Sequence, residues 1–216
     1  NYLGAGQAYQ QATTSGAWQE SSLYSMGRVR YTYDDKYTFT GTVRRDGFSG
    51  FGKNNKFGIF PSAALAWRIS EEDFVNKLEW LDNLKLRLSY GKNGNRTISR
   101  YQTLAQISSG NGYVFGDGSS AELRQWISSL ANSNLKWETT NTFNIGVDFS
   151  VLNSRIFGSL EYYISNTNNL LYNINIPQIS GLSSVATNIG ELGIKGFELS
   201  LTAIPVKTKD FSWSVT

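Results

Sequence analysis

Apolar and polar side chains alternate one by one along much of this sequence, most clearly between residues 28 and 45. One face of this segment carries Val29, Tyr31, Tyr33, Tyr37, Phe39, Gly41 and Val43, and the other carries Arg28, Arg30, Thr32, Thr38, Thr40, Thr42 and Arg44. A period of two is typical of a β-strand, and Asp34-Asp35-Lys36 between the two halves indicates a tight turn. The segment is therefore predicted to form a β-hairpin with one apolar and one polar face.

The same alternation predicts seven complete strands and the start of an eighth. They cover about 24–33, 37–45, 59–69, 84–92, 137–149, 156–165, 187–203 and 211–215. In the fourth strand, Leu84, Leu86, Leu88 and Tyr90 alternate with Lys85, Arg87 and Ser89. Each strand thus has an apolar side and a polar side, as in an antiparallel sheet that meets two different environments.

The segments between the strands are predicted as loops with two short helical stretches. Residues 1–22, 93–136 and 166–186 are rich in small and polar residues and show no period. Ser70 followed by Glu71, Glu72 and Asp73 has the pattern of a helix N-cap with an acidic first turn, which favours a short helix over 71–80. A helical turn is also predicted within 121–130, and a turn over 205–210.

The connections alternate in length along the chain. Those after the second, fourth and sixth strands (46–58, 93–136 and 166–186) are long, whereas those after the first, fifth and seventh are short. The connection after the third strand is longer but is predicted to be helical. In an up-and-down sheet this sorting puts long loops at one edge and short turns at the other, as in outer-membrane barrels.

The aromatic residues Tyr31, Tyr33, Tyr37 and Trp67 cluster near the short-turn edge, as in the interfacial belts of membrane proteins. This favours an all-β, antiparallel, up-and-down transmembrane β-barrel segment. Two alternatives remain open: a stand-alone, closed eight-stranded barrel with a structural or adhesion role, and a soluble carbohydrate-binding β-sandwich.

Composition excludes several other classes of protein. The 216 residues include neither Cys nor His, which removes disulfides, thiol catalysis and the commonest general base and metal ligand. The formal net charge is +3 and the basic residues are scattered, so nucleic-acid binding is not expected. The acidic residues lie in turns or singly on the polar face, and we expect neither enzymatic activity nor a cofactor or metal. No apolar run is long enough for a transmembrane helix, but membrane strands need only ~9–11 alternating residues.

Four aromatic residues of the long connection 93–136 are candidate substrate-binding residues: Tyr101, Tyr113, Phe115 and Trp126. Aromatic rings offer a large contact area on which the apolar faces of sugars stack, while hydroxyl groups bond around the edge. The same rings would also serve to pack this long loop onto itself.

Ten short motifs follow one another in an order typical of one protein family. They are RVRYTY (28–33), RRDG (44–47), FGKNNK (51–56), FPSA (60–63), AWRISEE (66–72), LKLRLSYG (84–91), LKWETT (135–140), NIGVD (144–148), NIG (188–190) and KGFEL (195–199). Over roughly residues 23–216 the chain resembles the β-barrel of the SusC/RagA family of TonB-linked (TonB-dependent) outer-membrane transporters of Bacteroidetes.

The resemblance implies a barrel of about 22 strands filled by a plug. The whole chain, 1–216, would form part of that single barrel domain and supply about eight of its strands, with the plug and the remaining strands outside this sequence. It also implies active import of an oligosaccharide (glycan) or peptide across the bacterial outer membrane. The implied partners are outer-membrane lipid, a SusD-like surface lipoprotein, and the TonB–ExbB–ExbD complex acting through the plug.

The resemblance also implies what the polar face and the loop aromatic residues would contact. The polar face would line the lumen, and its cations are Arg28, Arg30, Arg44, Arg68 and Arg87. These arginines would act either as solvated wall charges that pair with plug carboxylates or as substrate contacts. The aromatic residues of the long connection would bind substrate or pack against the lipoprotein.

Overall fold

The computed structural model describes residues 17–75, 77–115, 120–177, 179, 181–182 and 184–216, and β-strands dominate this part of the chain. Within these residues, no helix is both long enough and apolar enough to cross a membrane.

Eight strands form one antiparallel sheet in the order β1-β2-β3-β4-β7-β8-β11-β12. Their bounds are β1 Ser22–Tyr33, β2 Tyr37–Phe48, β3 Phe57–Arg68, β4 Leu81–Asn95, β7 Glu138–Val151, β8 Ile156–Asn168, β11 Glu191–Lys207 and β12 Ser212–Val215. Each strand pairs with the strand before and after it in this order, which confirms the predicted up-and-down sheet of eight strands. No pairing joins β1 to β12 in the described part of the chain, so the sheet is open.

The register of the strands sorts their side chains onto two faces. One row of mutually paired positions runs through Tyr31, Phe39, Leu65, Leu88, Ile145, Tyr162 and Phe197. The adjacent positions on the opposite face are Arg30, Thr40, Ala64, Ser89, Asn144, Tyr163 and Gly196. Because a strand has a side-chain period of two, this register keeps the apolar face continuous across seven strands.

The two edges of the sheet carry different connections, as predicted. Residues 34–36, 69–80, 152–155 and 208–211 join strands at what we call the turn edge, and 49–56, 96–137 and 169–190 join strands at the loop edge. In the first hairpin the Lys36 amide donates to the Tyr33 carbonyl oxygen (3.1 Å), and Asp34 and Asp35 have φ angles of 51° and 49°. These are the features of a type I′ turn, in which Asp is one of the residue types that tolerate positive φ.

The loop edge contains two hairpins where the sequence predicted loops. Gln106–Phe115 (β5) pairs with Ser120–Ser129 (β6), and Leu171–Asn175 (β9) pairs with Ser184–Asn188 (β10). The helical turn predicted within 121–130 is therefore wrong, because this segment is the second strand of a hairpin. The prediction of 166–186 as a loop is wrong in part, since β8 continues to Asn168 and the β9–β10 hairpin follows.

The helix predicted over 71–80 is also wrong. Among the described residues of this connection, Ile69–Glu71 forms a turn of 3-10 helix, and the others lie in turns or irregular structure before β4 begins at Leu81. Glu72 has extended backbone angles and directs its carboxylate to side chains on β2 and β3. Glu72 therefore binds side chains at the edge of the sheet instead of stabilising a helix N-terminus.

Most strand bounds differ from the predictions by a few residues, and β2 and β4, for example, extend further than predicted, to Phe48 and Asn95. The strand predicted over 187–203 is divided between β10 and β11, with Gly190 at a φ of 89° between them. β11 continues through Pro205 to Lys207, which shortens the predicted 205–210 turn, and β1 begins two residues before the predicted strand start at 24. Residues 17–21 have no regular structure, as predicted, and 1–16 lie outside the described residues.

Most buried apolar side chains lie at the loop edge instead of behind the sheet, and Val75 is buried at the turn edge. Phe48, Phe51, Phe60, Leu135 and Trp137 form one cluster, against which Ile98, Leu171 and Ala186 pack. By contrast, the apolar face of the sheet is open: Phe197 is 76% exposed and Val29 is 66% exposed. The sheet is thus a single layer, and its loop edge is held together by an aromatic cluster.

Candidate functional site

The candidate site comprises the polar face of the sheet and the connections at its loop edge. Small and hydroxyl-bearing residues dominate the central part of the polar face, including Thr38, Thr40, Thr42, Ser62, Ala64, Ala66 and Ser89. Several hydroxyl groups are paired across strands, such as Thr140 with Thr167 (2.8 Å) and Thr142 with Ser165 (3.0 Å). This face can therefore stay hydrated without presenting large apolar groups.

Arg87 is the centre of an ion-pair network on the polar face. Its Nη2 atom lies 2.7 Å from Asp148 Oδ1 on β7 and 2.6 Å from Glu161 Oε1 on β8. Asn144 donates to the other oxygen of Glu161 (3.0 Å), and Lys85 lies 3.9 Å from Asp148. The network joins three strands through one guanidinium group.

The other predicted arginines lie on the same polar face, each in a different setting. Arg44 pairs with the buried Asp46 (2.7 Å), and its guanidinium also lies over the Tyr24 ring. Arg68 lies 3.8 Å from Glu71, whereas Arg28 donates to Thr42 Oγ1 (3.2 Å). Arg30 is exposed and has no ion-pair partner within the described part of the chain. Arg44, Arg68 and Arg87 therefore already have carboxylate partners in this chain.

An aromatic cluster holds the connection 49–56 against residues 130–137. Phe51 contacts Phe48 edge-on and Trp137 at a ring-centroid distance of 5.0 Å, and Phe60 contacts Trp137 from another side. A Cβ atom at Gly52 would overlap the Ser133 carbonyl oxygen. Gly52 is thus required for the close approach of these two backbones.

Hydrogen bonds tie the three connections of the loop edge to one another. Asn188 donates to the carbonyl oxygens of Lys136 (2.8 Å) and Asn169 (2.9 Å) and accepts from the Lys136 amide (2.9 Å). Asn132 donates to the Ala186 carbonyl oxygen (2.8 Å). Thr103, which is buried, donates to the Gly50 carbonyl oxygen (3.0 Å). These hydrogen bonds therefore link the three connections of the loop edge into one unit.

A cavity of about 470 Å³ opens beside this cluster at the loop edge. Its lining combines apolar, basic and hydroxyl-bearing residues: Gln19, Glu20, Ser21, Phe48, Ser49, Gly50, Phe51, Gly52, Lys53, Lys56, Arg100, Tyr101, Thr103, Leu104 and Ser133. Tyr101 accepts a hydrogen bond from the Gln19 amide (2.9 Å) and donates to the Gln19 carbonyl oxygen (3.1 Å). Arg100 pairs with Glu20 (2.9 Å) and lies over the Trp18 ring. An aromatic floor with a polar rim suits a ligand that has both apolar and hydrogen-bonding groups.

The four predicted aromatic residues do not converge on this cavity. Tyr101 lines it, whereas Trp126 lies on β6 opposite Ser108 and is not among the lining residues. Tyr113 and Phe115 belong to β5, but their side chains lie outside what the structure describes. Of the four, only Tyr101 is therefore seen in contact with the described cavity.

Several residues that organise the two edges were not predicted from the sequence. Asn188, Asn132 and Phe51 had no assigned role, although Asn188 and Phe51 lie in the NIG and FGKNNK motifs. At the turn edge, Glu72 accepts hydrogen bonds from Tyr37 Oη (2.5 Å) and Trp67 Nε1 (2.9 Å). These two bonds, together with the charge of Lys36, hold the pKa of the Glu72 carboxyl below its ordinary value. The rings of Tyr37 and Trp67 stack at 6.3 Å.

Comparison with known proteins identifies the family. The family model described as TonB dependent receptor-like, beta-barrel, matches residues 1–216. The chain belongs to this family of β-barrels.

Two curated relatives and one solved structure show how much of such proteins this chain represents. It is 42% identical to TonB-dependent receptor P3 of Formosa agariphila over 90% of this chain and 19% of that protein. It is 39% identical to TonB-dependent receptor SusC of Bacteroides thetaiotaomicron over 94% of this chain and 20% of that protein. A structure of the RagAB peptide transporter superposes with a TM-score of 0.80 at 30% identity, covering 89% of this chain and 21% of that one. The chain thus spans about a fifth of the length of its relatives, and it is a SusC/RagA-like part of a TonB-dependent receptor barrel.

Proposed function

We propose that this chain forms part of the barrel wall of an outer-membrane importer that takes up nutrients actively. The observation that carries the proposal is the register of the eight-stranded sheet, which keeps a continuous apolar face opposite a hydrated polar face. The apolar face meets lipid and the polar face lines the lumen. The loop edge lies outside the cell and the turn edge lies in the periplasm.

The openness of the apolar face supports lipid contact. Leu199 is 68% exposed and Tyr31 is 61% exposed, and no second sheet covers them in the described part of the chain. A soluble β-sandwich would bury this face, so that alternative has no support. The stacked Tyr37 and Trp67 at the turn edge suit a membrane–water interface, where amphipathic rings are favoured.

The open sheet argues against a stand-alone, closed eight-stranded barrel. In a closed barrel the first and last strands pair, and β1 and β12 do not pair in the described residues. The small side chains of the polar face also suit a wide lumen better than a filled interior. A wall that is completed by further strands accounts for both features.

The arginines of the polar face are proposed as lumen-facing wall residues. Arg44, Arg68 and Arg87 are partly neutralised by carboxylates of the wall itself. Arg28 and Arg30, which have no such carboxylate in the described residues, are the better candidates for contact with a plug or with substrate. The wall would then offer a polar but weakly charged conduit.

The substrate proposed for the site is a glycan or a peptide. The loop-edge cavity supports this choice, since the exposed Tyr101 ring lines it beside polar side chains. The family resemblance adds a SusD-like surface lipoprotein over the loop edge and the TonB–ExbB–ExbD complex acting through a plug. One of the similar solved structures is that of the RagAB peptide transporter. From this similarity we infer an oligomeric nutrient for this chain, and not specifically a peptide.

Uptake by cells that carry the full-length protein tests the proposal. A strain lacking the gene, with and without a plasmid copy, is offered fluorescent oligosaccharides and oligopeptides. We expect at least one class to accumulate only with the plasmid, and a protonophore to abolish accumulation because the energy comes from the inner membrane. Equal accumulation in both strains, or accumulation that the protonophore leaves unchanged, would contradict the proposal.

Tyr101 provides a sharper test of the site within the same assay. Tyr101→Ala removes the ring from the cavity and should raise the half-saturation concentration for uptake by roughly tenfold, a typical value for losing one stacking contact. Tyr101→Phe keeps the ring and should stay close to the wild type. Equal kinetics for all three proteins would remove Tyr101 from the proposed substrate site.

A further inference from the structure

The outward, apolar face of the sheet ends toward the loop edge in a row of basic and amide side chains. On five strands of this face, the first polar residue beyond the apolar positions is basic or an amide: Arg45 on β2, Lys92 on β4, Asn141 on β7, Asn166 on β8 and Lys195 on β11. We call these five residues the outer belt. At the same end, β1 has Ser25 and β3 continues with Ile59 and Phe57. We propose that the outer belt binds the phosphate groups of an anionic glycolipid in the surrounding membrane.

The register places four members of the outer belt on adjacent strands. Lys92 pairs with Asn141, and Asn141 pairs with Asn166. Lys195 pairs with Ile164, which lies two residues from Asn166 on the same face of β8. Because neighbouring strands lie about 4.8 Å apart, these side chains lie close enough to contact one large headgroup.

Arg45 is oriented by an aromatic neighbour on the same outward face. Its guanidinium carbon lies 4.1 Å from the centre of the Phe57 ring, and the Arg45 side chain is exposed. Such stacking leaves the edge of the guanidinium group available for hydrogen bonds to an anion. Arg45 therefore combines an apolar contact at membrane depth with donors directed toward the headgroups.

The cations of the outer belt have no carboxylate partner in the part of the chain that the structure describes. In the described residues, Arg45, Lys92 and Lys195 form no ion pair. The acidic residue of the same outward series is Glu191, with which β11 begins, and it lies further toward the loop edge than Lys195. Cations without a carboxylate partner above a lipid-facing surface attract anionic headgroups.

The opposite edge has the reverse character. Asp34 and Glu72 flank Lys36 at the turn edge, and Glu71 flanks Arg68. Lys36 and Arg68 are paired with carboxylates there, and β1, β2 and β3 end on the outward face in Tyr33, Tyr37 and Trp67, so an anionic headgroup gains little from these strands. Unpaired cations of that edge, such as Lys77 and Lys207, lie in a connection or at the end of β11. This difference between the two edges places the bound glycolipid in the leaflet at the loop edge. There the phosphate groups on its sugars would bind the cations, and the sugar hydroxyl groups would bind Asn141 and Asn166.

This inference rests on the proposed function only in requiring that the apolar face meets lipid and that the loop edge is external. The test compares the full-length protein with the triple variant Arg45→Gln/Lys92→Gln/Lys195→Gln. A matched control, Lys77→Gln/Lys207→Gln/Lys209→Gln, removes the same charge from exposed residues of the turn edge. Binding of phosphorylated lipid A and of enzymatically dephosphorylated lipid A is measured for each purified protein in nanodiscs.

We expect the wild type and the control to prefer phosphorylated lipid A, and the belt variant to bind it roughly 100-fold more weakly, because it lacks three cations. Arg45→Lys alone, which keeps the charge, should retain most of the preference. Equal affinity of belt variant and wild type, or equal affinity for the two forms of lipid A, would overturn the inference. A belt variant that imports nutrient normally but shows no lipid difference would overturn this inference alone and leave the proposed function standing.

Discussion

Arg87 on β4 reaches across β7 to Glu161 on β8, with 2.6 Å between Nη2 and Oε1. The space for this contact comes from Gly146, whose position lies between the two residues in the register. A Cβ atom there would lie 3.1 Å from Arg87 Nη2 and 3.2 Å from Glu161 Cγ. A guanidinium group, a carboxylate and a glycine on three strands thus form one structural unit.

Replacing Glu161 should weaken this unit more than replacing its neighbour. Glu161→Gln removes one charged partner of Arg87 and should lower the free energy of unfolding by about 1 kcal/mol, a value reduced by partial exposure of the pair. Glu198→Gln is the matched control, because Glu198 pairs with Glu161 in the register and is exposed. Its loss relieves a repulsion between like charges and should be neutral or slightly stabilising.

The measurement is the denaturant midpoint of the full-length barrel, followed by the change in electrophoretic mobility between folded and unfolded forms. Equal midpoints for Glu161→Gln and Glu198→Gln would show that the Arg87 network does not stabilise the wall.

Glu72 should make the turn edge sensitive to acid. Its pKa is lowered in the folded protein by the hydrogen bonds from Tyr37 and Trp67, so its contribution to stability is present above the unfolded value of about 4.3 and is lost as pH falls through the lower folded value. Glu72→Gln should therefore lower the melting temperature at neutral pH. Below about pH 4, the melting temperature of Glu72→Gln should fall less steeply with decreasing pH than that of the wild type.

The control for this prediction is Glu79→Gln, which changes an exposed carboxylate of the same connection. Melting temperatures of the three proteins are compared from pH 7 to pH 3. The prediction fails if Glu72→Gln and Glu79→Gln follow the same curve.

Strict alternation made the strands and their faces predictable from sequence. Tyr31, Phe39 and Leu65 were assigned to one face because a period of two leaves no other choice, and the register confirms their alignment. The placement of long connections at one edge of the sheet and short connections at the other followed from the up-and-down order of the strands alone. These features are local, or follow directly from antiparallel pairing.

The loop edge could not be predicted because its contacts are distant in sequence. Asn188 lies next to Lys136 only after β7, β8 and β11 have formed, and nothing in its neighbourhood indicates that partner. The segment 121–130 becomes a strand because it pairs with β5, which overrides a weak local helical preference. Glu72 was mistaken for part of a helix start because its partners, Tyr37 and Trp67, belong to other elements.

Gly52 is predicted to be essential for closure of the loop edge. Gly52→Ala places a methyl group against the Ser133 carbonyl oxygen and should cost roughly 1–3 kcal/mol, as overpacking of a rigid contact does. Gly27→Ala is the control, because a Cβ atom at Gly27 on β1 meets nothing within 4 Å. Limited proteolysis should cut the connection 96–137 faster in Gly52→Ala than in Gly27→Ala, and identical cleavage rates would refute the required close approach.

The contact of the apolar face with lipid is the central claim, and Leu86→Arg tests it most directly. Leu86 lies on the apolar face between Trp67 and Val147, whereas Thr40 lies on the polar face between Arg30 and Ala64. An arginine near the middle of the bilayer costs ~2–4 kcal/mol. In the full-length protein, Leu86→Arg should block assembly of a heat-modifiable barrel in membranes, and Thr40→Arg should permit it. Normal assembly of Leu86→Arg, or equal failure of both variants, would contradict the assignment of this face to lipid.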